Sequence, residues 1–415
     1  MQGAARAWAK ARLGLSVGIE RRKGGGIVIE RAPVPLSKLI QSRRVILCVG
    51  CGGVGKTTTT AALGLAAAMA GKRVLCLTID PAKRLAQSLG LPEMTGEAKE
   101  VEPARFQAAG LRVPGSLTVM MLDTKRTFDE LVHKYASSPE ARDRILGNKL
   151  YQYLSTSLAG TQEYMAMEKL HAIKDDPRYD LILLDTPPTA NALDFLDAPE
   201  RMVDILDSAV MRWIVSAVQS SGKLSLNLLT KSAALVLKGI GRITGGSFLQ
   251  DLAQFLGELN DLFGGFKDRA REVSADLRAP DVAYVLVTSP EPMSIQEVLY
   301  FADRLREQNM PRDAFVVNRV HRATAPTQDP AVVGRALARL GIELDRGGAE
   351  RVVRAALDEA SRGALDAKEL EALDRVLANA PDRPIRVDVP AFAKDVHDLD
   401  ALAKVARILV RDCAA

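Results

Sequence analysis

The densest chemistry in the chain lies in Gly50-Cys51-Gly52-Gly53-Val54-Gly55-Lys56-Thr57-Thr58. The spacing is G-x-x-x-x-G-K-T, in which glycines let backbone N–H groups converge and a lysine and a hydroxyl follow them. Such a loop suits a polyphosphate. Lys56 offers a cation to the β and γ oxygens, and Thr57 offers a hydroxyl to Mg2+. Two aspartates extend the set, each at the end of an apolar run: Asp80 after Val74–Ile79, and Asp185 after Leu181–Leu184. Asp185 opens the run Asp185-Thr186-Pro187-Pro188-Thr189 and, at the carboxyl end of an apolar strand, is read as holding Mg2+ through water.

These side chains converge only if their runs are neighbouring parallel strands. In open α/β sheets ligands bind beyond the carboxyl ends of the strands. Val45–Val49 is short, apolar and rich in β-branched residues, which predicts a buried parallel strand feeding the glycine loop. The Ala/Leu-rich Ala61–Ala70 then predicts a helix. Further strands are expected at Leu117–Leu122, Val282–Thr288, Ala314–Val317 and Ile385–Val389. Helices are expected at Phe128–Tyr135, Thr161–Ile173, Ser294–Glu307, Ala331–Leu340, Ala349–Ser361, Ala367–Ala378 and Leu399–Val410. The implied fold class is α/β: a P-loop NTPase with a mostly parallel sheet flanked by helices, plus a helical insertion subdomain.

The expected organisation is a flexible tail over 1–42, a nucleotide core in two parts (43–200 and 277–322) and a helical insertion over 201–276. A charged helical cover spans 323–383, and 384–415 adds the last strand and helix of the core. Composition bounds the function. The 415 residues are 47% hydrophobic and 26% charged, with a net charge of +5, which describes a globular chain without the basic surplus of a nucleic-acid binder. Four cysteines argue against a disulfide scaffold and for a reducing compartment. The expected location is cytoplasmic, with peripheral contact at the inner membrane face.

GCGGVGKTTT, TIDPAKRLAQSLG, DTPPTANALDFLDAP and FVVNRV occur in that order between residues 43 and about 320. In them the chain resembles the arsenite-pump-driving (ArsA) ATPases and their relatives that guide tail-anchored membrane proteins. The resemblance implies an ATPase that binds ATP and Mg2+. It makes Asp80 the residue that positions the attacking water, beside the catalytic Lys56 of the glycine loop, and Asp185–Thr189 the switch segment that senses the γ-phosphate. Asn318 becomes the adenine-reading residue, and the loop at Val389 and Pro390 a cover for the base. It also implies a dimer with nucleotide at the interface, and a hydrophobic client or membrane-surface contact through 201–276. Within that insertion Trp213–Gln250 contains no acidic residue, and Leu252, Phe255, Leu256, Leu259, Leu262, Phe263 and Phe266 recur at helical spacing.

Two departures qualify the resemblance. The family's second P-loop lysine, which reaches into the partner's phosphates, is here Cys51, and a thiol cannot supply that charge. Either another base substitutes, or hydrolysis is simply slow, or the chain forms a heterodimer with a lysine-bearing paralogue; a homodimer and a heterodimer both stay open. Family members of the tail-anchor type carry Gly-His after the switch threonine, where this chain has Ala190-Asn191. No cysteine lies between Cys76 and Cys413, so the thiolates that arsenite or structural zinc would need are missing from the helical region. A pump motor is therefore disfavoured. The remaining rivals are a weakly hydrolysing regulatory subunit and a partitioning-type ATPase, the latter without a basic cluster in the last helix to support it.

Overall fold

Val45–Val49 (β3) is buried at every position, as a strand covered on both faces must be. Its side chains alternate between two cores. Val45, Leu47 and Val49 enter one, with Ile182, Leu184, Tyr284 and the helices Thr161–Ile173 and Pro292–Glu307. Ile46 and Cys48 enter the other, with the helices Lys56–Met69 and Leu399–Leu409. The computed structural model describes residues 17–21, 27–31, 36–79, 84–91, 96–148, 151–152, 155, 161–186, 197–198, 201, 204, 268–321 and 328–411. Asp80, Pro187, Pro188, Thr189, Ala190, Asn191 and most of 201–276 lie outside the described residues.

The remaining strands are β1 (Val17–Arg21), β2 (Ile27–Arg31), β4 (Arg73–Thr78), β5 (Lys99–Glu100), β6 (Ser116–Met121), β7 (Leu181–Asp185), β8 (Val282–Thr288), β9 (Ala314–Val320) and β10 (Ile385–Pro390). Eight of them form one sheet in the order β10-β9-β8-β3-β7-β4-β6-β5. Its pairs are parallel except β5 with β6. Register decides what meets at the top edge: Asp185 of β7 lies opposite both Cys48 of β3 and Thr78 of β4. Helix Lys56–Met69 packs closely on one face of the sheet. A Cβ on Gly64 would stand 2.6 Å from Cys76 Sγ, so the small residue is required by the approach.

The core strands and most helices fall where the apolar periods predict them. Three regions depart. The tail expected through residue 42 ends earlier, because Leu36–Ser42 is a helix whose Leu36, Leu39 and Ile40 are buried on one face. Before it, β1 and β2 pair antiparallel from Val17↔Arg31 to Arg21↔Ile27. The two helices expected at Ala349–Ser361 and Ala367–Ala378 are one helix, Gly348–Ala378. Gly363 costs a helix only about 1 kcal/mol, which the flanking Ala, Arg and Leu residues outweigh. Leu370 and Leu373 dock its C-terminal half on the core. Among the described residues no helix is long and apolar enough to cross a membrane.

Candidate functional site

The glycine loop leaves β3 at Gly50 and enters the helix at Lys56. Gly53 and Gly55 take positive φ, and Gly55 caps the helix in the left-handed conformation. Gly50 is constrained by proximity: a Cβ there would lie 2.1 Å from the Val287 carbonyl oxygen of β8. Backbone in the centre of a sheet cannot yield. Gly50→Ala is therefore expected to destabilise the fold by about 1–3 kcal/mol, read from denaturant unfolding. At Gly55 a Cβ would lie 2.2 Å from Asn318 Nδ2, and the positive φ of 96° is strained for any side chain, so Gly55→Ala is expected to strain the loop as well.

Lys56 is buried, and its Nζ donates to the Cys51 carbonyl at 2.8 Å, across the mouth of the loop. Thr57 Oγ1 donates to Asp185 Oδ2 at 2.8 Å, and Thr78 Oγ1 donates to the same oxygen at 3.0 Å. Asp185 itself is 0% exposed. The two residues expected to hold Mg2+ are thus in direct contact. Thr78 is the addition that sequence reading missed, although its place two residues before Asp80 on the strand that must lie beside β7 was a usable signal. Hard oxygen donors beside a phosphate loop have the chemistry that Mg2+ selects. Thr186 donates its hydroxyl to the Cys48 carbonyl at 2.9 Å, which ties the residue after Asp185 to the end of β3.

Asn318, near the end of β9, donates Nδ2 to the Val54 carbonyl at 2.9 Å and accepts from the Arg319 N–H at 3.0 Å. That second bond holds Arg319 at φ 60°, a conformation that side chains rarely adopt. Asn318 therefore fastens the glycine loop to the sheet. The loop, the end of β9 and residues 390–397 enclose an open cleft of about 670 Å³. Gly53, Gly55, Lys56, Thr57, Thr58, Thr186, Asn318 and Pro390 line it. Val389 does not: it is buried in the core beside the last helix. Phe392, Lys394 and His397 stand in the lining instead, as does His321, which is held by Asp366 of the long helix at 3.0 Å. No motif marked them, because the loop that carries them has no periodicity.

Cys51 is buried, and burial is the main cause that pushes its thiol above the ordinary range; Ser294 opposes the shift and Glu297 adds to it. The residue at the departed lysine position is a neutral group at neutral pH. Burial likewise pushes Cys48 up to about 12 and raises Cys76, as it does for thiols packed as small hydrophobes.

Residues 43–333 match a family described as anion-transporting ATPase. A curated protein named as an arsenical pump-driving ATPase, from Aquifex aeolicus, is 26% identical over 285 residues, 67% of this chain and 63% of the relative. The ATPase get3 of Aspergillus terreus is 26% identical over 279 residues, 67% of this chain and 73% of the relative. The ATPase GET3 of Paracoccidioides lutzii is 26% identical over 281 residues, with the same shares. The chain spans less than two thirds of the length of the Aquifex relative.

Proposed function

The chain belongs to the anion-transporting ATPase family, and from that premise we propose a Mg2+-dependent ATPase whose turnover drives a dimeric switch acting on a hydrophobic client. One observation carries the reading. Thr57, Thr78 and Asp185 form a hydrogen-bonded cluster at the strand ends, beside Lys56 and a glycine loop that opens into the cleft. Loop N–H groups and Lys56 would bind the phosphates and stabilise the charge that develops as the γ-phosphate departs. Thr57 and Asp185 would hold Mg2+, which supplies a further positive charge to the β and γ oxygens. Asp80 would orient the attacking water. The nucleotide loop members Gly50, Cys51, Gly52, Gly53, Val54, Gly55 and Thr58 contribute backbone. Asn318 and Pro390 would flank the base, with Val389 supporting from within the core.

Asp185 and Thr186 share backbone bonds with the strands on either side: the Ile79 N–H donates to the Asp185 carbonyl, and the Thr186 N–H to that of Cys48. A change at the γ-phosphate would therefore reach both switch segments at once, the order–disorder device of nucleotide switches. Through them it would reach the insertion 201–276 and its client. Calorimetry with ATP and Mg2+ is the test. Saturable binding with phosphate release supports the reading, and an absence of binding by well-folded protein overturns it.

The buried, neutral Cys51 favours a second reading, a subunit that binds nucleotide and hydrolyses it weakly until a lysine-bearing paralogue completes the site. Single-turnover hydrolysis with and without such a paralogue separates the two. Acceleration by the mixture supports the heterodimer, and equal rates remove it.

A further inference from the structure

Ile79 is the first residue beyond β4 and the last before Asp80. Its N–H donates to the Asp185 carbonyl at 3.3 Å. Its carbonyl sits past the end of the ladder: the neighbouring Leu122 N–H is committed to Thr78 at 2.8 Å, and no backbone donor reaches it among the described residues. A buried carbonyl needs a partner from elsewhere. That partner is the Nε2 of Gln162, at 3.0 Å, supplied from a helix 83 positions further along the chain. Because the carbonyl of Ile79 shares a rigid plane with the N–H of Asp80, a bond to it sets the direction in which the chain leaves for that residue.

The helix that carries the donor is firmly packed. Tyr164, Met165, Ala166 and Met167 of helix Thr161–Ile173 are all buried in the core. Further along, the Tyr164 hydroxyl donates to Glu168, and Glu168 receives the Arg269 guanidinium, which also lies over the Tyr135 ring at 4.7 Å. His171 and Lys174 both meet Asp276, at 2.6 Å and 3.1 Å. A side chain locked on a packed element can hold a geometry that a loop residue cannot.

We infer that Gln162 is a positioning residue for ATP hydrolysis, orienting through the Ile79 carbonyl the segment that carries Asp80. The inference rests on the proposed role of Asp80. Gln162 need not touch nucleotide, so its loss should slow the chemical step and leave binding alone.

Steady-state hydrolysis by the full chain tests this with two variants. Gln162→Ala should lower kcat by about ten- to a hundredfold at every pH, with KM for ATP within about twofold of the unaltered chain. Gln162→Glu is the isosteric control. As a carboxylate it faces the carbonyl with no proton to give, so kcat falls at neutral pH. As pH is lowered and the carboxyl group gains a proton it becomes a donor again, and kcat relative to the unaltered chain should recover. Gln162→Ala has no such recovery. A kcat within twofold for Gln162→Ala overturns the inference, as does a parallel change of kcat and KM with a lowered thermal midpoint. Asp80→Asn run alongside separates the failures. If Asp80→Asn abolishes turnover while Gln162→Ala is silent, this inference alone is wrong. If Asp80→Asn is also silent, the proposed role of Asp80 falls with it.

Discussion

Lys56→Met is expected to lower ATP turnover by at least about 10²–10³-fold, the cost of removing a preorganised positive group from a developing phosphoryl charge. The substitution keeps most of the aliphatic stem, which is the part of Lys56 that packs. The fold should survive, because helix Lys56–Met69 is held by Ala61, Ala62, Leu63, Leu65 and their neighbours in the core. The measurements are phosphate release under saturating ATP and a thermal melt of the same sample. A tenfold or smaller loss of turnover with an unchanged melt would mean that another base carries the charge. Arg319 and Lys394 would then be the groups to examine, since both line the cleft.

The centre of the fold was legible because its physical demands are local. Val45–Val49 and Leu181–Asp185 are apolar at nearly every position, which only a doubly covered strand requires, and the glycines that follow Val49 can do little but turn the chain into a phosphate loop. The contact between Thr57 and Asp185 follows from that pattern, since neighbouring parallel strands bring their carboxyl ends level. Other features depend on pairings between distant segments. Nothing within Ile79 or Gln162 announces that one will bond the other across 83 positions. Thr78 matters only once β4 is known to lie directly beside β7.

The misses have physical causes too. Leu36–Ser42 is seven residues inside a stretch whose bases and glycines dominate its composition, so the apolar triplet Leu36, Leu39 and Ile40 was outweighed. The two expected helices lie on either side of Gly363, yet a single buried glycine between strong helix formers is a small penalty against thirty-one helical residues. Val389 and Pro390 were expected to act together on the base, but adjacent residues of an edge strand point to opposite faces. One is buried in the cluster that includes the last helix, and the other lines the cleft.

Asp185 permits a sharper separation of chemistry from stability. Asp185→Asn keeps an oxygen in place to accept from Thr57 and Thr78, whereas Asp185→Ala leaves both hydroxyls without that acceptor in a buried setting. The alanine variant should therefore lose about 1–3 kcal/mol of stability and the asparagine variant less than about 1 kcal/mol. Turnover should not follow that order. Both variants remove the carboxyl group proposed to hold Mg2+, so both should fall by about 10²–10³-fold. In the asparagine variant the Mg2+ concentration for half-maximal turnover should rise at least about tenfold, because a neutral amide attracts a hydrated divalent cation less than a carboxylate does. Urea unfolding and Mg2+ titrations of phosphate release supply the two axes. If turnover tracks stability across the pair, with Asp185→Asn nearly as active as the unaltered chain, the carboxyl group is a structural acceptor and the metal is held elsewhere.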